Sequence, residues 1–105
     1  MSQCLHHNAF GCVARCPGKC CLHLYFGNVG LCLRTAELPD WCATIAGLYE
    51  THVQRLPDPL ARRISLSGPT EGVALLFNLE ELAQLQDLLV SAALLLEVDD
   101  ILTQA

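Results

Sequence analysis

The hydrophobic spacing of this chain switches from a period of two to a spacing of three and four, and it does so twice. In "CLHLYF", Leu22, Leu24 and Phe26 fall on one face and Cys21, His23 and Tyr25 on the other, as in a half-buried strand. "FGCVARC" likewise sets Phe10, Cys12, Ala14 and Cys16 on one face. Gly27 and Asn28 then supply residues that tolerate positive φ in a tight reversal, and "VGLCL" returns as the partner strand. From Leu38 onward, Trp41, Cys42, Ile45, Leu48, Tyr49, His52 and Val53 make one stripe of an amphipathic helix. Thr35 as cap, or Pro39 in the first turn, starts that helix, and the two prolines of "RLPDPLA" end it.

The second half repeats the plan. "RRISLSG", a turn at "GPTEG" and "VALLF" read as a hairpin, and Asn78 caps a longer helix with Glu80 and Glu81 in its first turn. Shifted by 43 positions, "GLCLRTAE" (30 to 37) lies over "VALLFNLE" (73 to 80), the same strand, cap and helix joint. The prediction is an α+β fold of two strand-strand-helix units, an antiparallel sheet covered on one face by two helices. Its parts are a Cys/His-rich hairpin part over 1–34, a helix over 35–53, a second hairpin over 62–77 and a C-terminal helix over 78–103. With 105 residues, 52% of them hydrophobic, residues 1–105 hold material for one domain with its own core.

Charge is unevenly placed. Through Ala36 there are three basic residues (Arg15, Lys19, Arg34) and no acidic one; the rest carries three basic and eleven acidic residues, for a net charge of −5. Six Lys and Arg leave little to neutralise phosphates with, which argues against a nucleic-acid surface. "MSQCLHHNAF" has neither the basic start nor the apolar stretch of a secretory signal. The longest near-apolar run falls short of the roughly 20 residues that span a bilayer. Both observations predict a cytoplasmic protein that crosses no membrane.

Seven cysteines is an odd count for a disulfide framework, and in a reducing compartment clustered Cys and His more often mean metal. A structural zinc site takes four soft ligands, usually as two close pairs. Cys4 with His6 (or His7) offers one pair, and Cys16 with Cys20 (or Cys21) the other, across the Pro-Gly of "CPGKCC". If the chain reverses about Phe10, Cys4 stands opposite Cys16 and His6 opposite Ala14, so both pairs converge on one face. The expected zinc ligands are therefore Cys4, His6, Cys16 and Cys20, with Cys12, Cys21, His7 and His23 as further candidates. Histidines in the set favour zinc over an iron–sulfur cluster.

Other readings of the thiols are weaker. Cys16 and Cys20 lack the two-residue spacing and helix N-terminus of a thioredoxin-like pair. Cys21 and His23 share a face, but nothing marks an orienting third group. Cys32 and Cys42 read as small residues on apolar faces, and His52 as a histidine suited to a helix end. No phosphate loop, GxSxG or HExxH occurs. No catalytic or cofactor-binding residue is expected besides the metal ligands.

The succession of Cys/His pair, cysteine pair, "LYFGNVGLCL" and amphipathic helix resembles a family of small bacterial proteins known only as a domain of unknown function. The likeness covers the first half of the chain and is most specific at "FGN". "CPGKCC" replaces a simpler two-residue gap in that family, so either Cys20 or Cys21 is the equivalent ligand. The resemblance implies the architecture and no activity.

The C-terminal helix is apolar nearly all round. Beyond a polar stripe of Glu80, Gln84, Asp87 and Ser91, Leu94, Leu95 and Leu96 spread over most of its circumference. Its outer face is expected to meet a second copy in a two-fold homodimer. Together these readings predict a small, non-catalytic zinc protein acting through protein interaction. The alternatives are a redox or metal-handling protein using the same thiols, and a metal-free assembly protein.

Overall fold

The computed structural model describes residues 3–16, 21–54, 61–62, 64–67 and 71–104. Four strands come first: β1 (Gln3–His7), β2 (Gly11–Arg15), β3 (Cys21–Phe26) and β4 (Val29–Arg34). They pair antiparallel in chain order, each with the next. The β3–β4 loop is the expected Gly27–Asn28 reversal, with Gly27 at φ 55°. A single 3-10 turn (Thr35–Glu37) leads into α1 (Leu38–His52), with Pro39 in its first turn and no side-chain cap. β5 (Ile64–Ser67) and β6 (Ala74–Phe77) form a second hairpin, followed by α2 (Leu79–Gln104). "RLPDPLA" through residue 60 and the first half of "GPTEG" lie outside the described residues.

The α+β class stands, with both helices close to their expected bounds. The strands differ in two ways from two equal units on one sheet. The first unit has four strands before its helix, because Asn8 reverses the chain and adds β1. The Asn8 side-chain oxygen accepts from the N–H groups of Phe10 and Gly11 at 2.9 and 3.2 Å. The second hairpin forms a sheet of its own. Its Ile64, Leu66 and Phe77 are buried in the common core, so it joins the fold by its apolar face.

Alternation sorts the four-stranded sheet into two unlike faces. Val13, Leu22, Leu24, Phe26 and Leu33 are buried on the inner face, together with the first half of α2 (Leu82, Leu85, Leu88, Leu89) and Ile45 of α1. Phe10 leaves the expected Cys12 face. It sits in the bend after Asn8 and stacks on Phe26, ring centroids 4.9 Å apart, with Phe77 tilted beside it. The three rings close the end of the core nearest the second hairpin.

Candidate functional site

The outer face of the sheet holds what the core excludes. Residues directly opposite each other across an antiparallel ladder share a face. Cys12 pairs with His7 on one side and Tyr25 on the other; Ala14 pairs with Cys4 and His23; His23 pairs in turn with Cys32; and Cys21 pairs with Arg34. One surface therefore carries Cys4, His7, Cys12, Cys21, His23 and Cys32. No acidic residue occurs anywhere in β1 to β4. Cys4, His7, Tyr25 and Cys32 are exposed, and Cys12, Cys21 and His23 half-buried. Cys32 is thus a surface thiol, correcting its expected place on an apolar face: Leu31 and Leu33 take the inner positions on either side. Cys42 remains half-buried against the core, and burial pushes its thiol pKa up.

The expected convergence of Cys4 with Cys16, and of His6 with Ala14, is overturned by the register. Cys4 stands opposite Ala14 and His6 opposite Val13, with Leu5 inserted between them as a bulge. The extra residue moves His6 to the inner side, away from the face of Cys4. There His6 Nε2–H donates to Asp87 Oδ2 of α2 at 2.8 Å. Asn8 Nδ2 donates to the same oxygen at 3.0 Å and to the Gln84 carbonyl at 2.9 Å. The His6 hydrogen bond, then that of Asn8, holds the Asp87 carboxyl below its ordinary range. The polar stripe of α2 anticipated from the sequence is thus the seat of β1.

Cys16 lies one residue past β2. Because Arg15 pairs with Leu22, the next pair out is Cys16 with Cys21, and the Cys16 N–H donates to the Cys21 carbonyl at 3.1 Å. Cys20 lies outside the described residues. Among the described residues, no three His, Cys, Asp or Glu side chains are already gathered into a group that would hold a metal ion. What is pre-formed is a directly opposed dithiol.

Two further groups escaped sequence reasoning because their partners are distant in the chain, 84 residues away for Arg15 and 19 for Arg62. Arg15 is almost buried and donates to Asp99 Oδ2 at 2.6 Å, fixing β2 to the far half of α2. Arg62 holds Glu81 through both carboxylate oxygens at 2.9 Å each. His52 Nδ1–H donates to the Leu48 carbonyl at 2.8 Å, closing the last turn of α1 as a helix-end histidine can. Among the described residues, no helix is long and apolar enough to cross a membrane.

Residues 1–104 match the model of a family whose description reads "Family of unknown function (DUF6686)". No curated protein and no solved structure matches the chain.

Proposed function

We propose that this chain, which belongs to the DUF6686 family of unknown function, is a small zinc-binding protein without a catalytic centre that acts by binding a partner protein. The observation that carries the reading is the sorting of the sheet. Apart from His6 and Arg15, which hold Asp87 and Asp99 of α2, the inner face is aliphatic and aromatic, while the outer face concentrates thiols and imidazoles with no carboxylate among them. Soft sulfur and nitrogen donors without hard oxygen donors suit zinc. The pair Cys16 and Cys21 supports it further, since two adjacent thiolates are the usual half of such a site. The zinc is structural, tying the β2–β3 end of the meander.

The open grooves of the described surface support a binding role. One lies between α1 and β5 beside Trp41 and Leu48; another lies between β1 and the end of α2, lined by Leu5, Leu95 and Val98. Elemental analysis of protein purified without added metal tests the proposal. About one zinc per chain is the expected result, as for a single structural site. Metal-free protein whose thiols all titrate freely would sink it.

A further inference from the structure

We infer that the zinc ligands are Cys16, Cys21 and His23 on the outer face of the sheet, in place of a set containing Cys4 and His6. The inference rests on the zinc-binding reading above and names its site. Cys16 and Cys21 face each other across the β2–β3 ladder, joined by the 3.1 Å hydrogen bond between their backbones. Opposed side chains of this kind have Cβ atoms about 4.5–5.5 Å apart. His23 follows Cys21 by two residues, on the same face, and pairs with Ala14. Cys16, Cys21, His23 and Ala14 are therefore the four corners of one patch. Three corners carry donors, and the fourth is a methyl group too small to obstruct an ion above the patch.

Cys16, Cys21 and His23 are half-buried, in reach of solvent yet partly shielded from it. Diagonal neighbours in a sheet stand about 7–8 Å apart, so an ion closes the site by turning these side chains inward from the opposed thiols. Cys16, Cys21 and His23 fill three of the four tetrahedral positions of a structural zinc site. His6 is excluded because it faces α2 and holds Asp87. The other opposed Cys–His pair, Cys12 with His7, has Tyr25 and Gly30 as its row neighbours, and its nearest second thiol, Cys4, stands opposite Ala14 beyond the Leu5 bulge, so no two thiols face each other there. Arg34, opposite Cys21, brings a positive charge to the side of the patch where two thiolates accumulate negative charge.

The test uses the full chain, reduced and titrated with zinc alone. Cys21→Ser and His23→Ala should lower bound zinc at least about tenfold at limiting metal, while His6→Ala and Cys4→Ser keep it. Because a variant can lose zinc by failing to fold, the parent is also alkylated with and without zinc. Zinc should slow modification of Cys16 and Cys21 about tenfold or more and leave Cys32 unchanged, since a metal-bound thiolate is a poor nucleophile. Zinc that protects Cys4 in place of Cys21, or that His6→Ala abolishes in a folded chain, overturns this ligand set while leaving zinc binding intact. A parent that takes up no zinc, or only forms a Cys16–Cys21 disulfide, overturns both.

Discussion

Gly11 is where the sheet tolerates no side chain at all. A Cβ built there would lie 2.0 Å from the Tyr25 carbonyl oxygen and 3.0 Å from Phe26 Cα. Both obstacles are backbone of the adjacent strand, so neither can swing aside. Gly11→Ala should therefore destabilise the protein by about 2–3 kcal/mol, the upper range for forced overpacking, read as a lowered midpoint in urea. A variant as stable as the parent would mean that β2 and β3 are further apart than described. The same scale explains why the arrangement of the thiols and imidazoles was only partly legible. The residue types were visible, and so was the sharing of one face by Cys21 and His23. A single inserted residue, Leu5, then put Cys4 and His6 on opposite faces. Nothing in "QCLHH" announces a bulge: His6 finds its partner on Asp87, 81 residues away, and a local pattern carries no trace of that distance.

At the scale of elements, the two strand–helix joints look alike in sequence and are built differently. In the second, Asn78 and Glu81 cap α2 reciprocally. The Asn78 side chain accepts from the Glu81 N–H at 2.7 Å, and Glu81 Oε1 accepts from the Asn78 N–H at 3.0 Å. In the first, Thr35 opens a 3-10 turn and α1 begins after Glu37 without a side-chain cap. Asn78→Ala should cost about 1 kcal/mol, as loss of an N-cap does. Glu81 adds a pH dependence. The Arg62 hydrogen bond, with the Asn78 N–H adding to it, holds its carboxyl below the ordinary 4.5. The folded state thus favours the ionised form, and the stability this confers is present above pH 4.5 and lost as pH falls through the lowered folded value. Urea midpoints of Glu81→Gln and parent should differ at neutral pH and converge in acid. A gap unchanged by acid would assign the effect to packing. These elements were legible because cap, turn and period are local: Gly27–Asn28, Pro39 and Asn78 all stand where the sequence places them. The order of the sheet and the separation of the second hairpin were not, since they depend on which apolar faces meet in the core.

For the whole molecule, the unresolved balance lies along α2. Its first half is enclosed: Leu82, Leu85, Leu88, Leu89 and Ala92 are buried beneath α1 and the sheet. Its second half is not. Leu94, Val98, Ile101 and Leu102 are 58%, 52%, 60% and 68% exposed, with Val90 and Leu95 beside them, whereas Leu96 turns toward the core. Val90, Leu94, Val98 and Ile101 recur every three or four residues, so these side chains form a continuous apolar stripe and are not scattered. We propose a second copy as the occupant of such a stripe, because a two-fold axis across it sets each helix against the same residues of the other. Charge opposes the pairing. Glu97 flanks the stripe, and no basic residue stands between positions 90 and 104. The dimer should accordingly tighten as salt is raised, the reverse of an association held by ion pairs. Light scattering from micromolar to several hundred micromolar chain, at low and high salt, should show the mass rising toward twice that of the chain. Leu94→Glu and Ile101→Glu should hold it at monomer. Both positions are exposed in the single chain, so each variant should unfold within about 0.5 kcal/mol of the parent, which separates lost association from lost folding. A parent whose mass stays monomeric over that range at both salts removes the dimer, and the stripe must then serve a different partner.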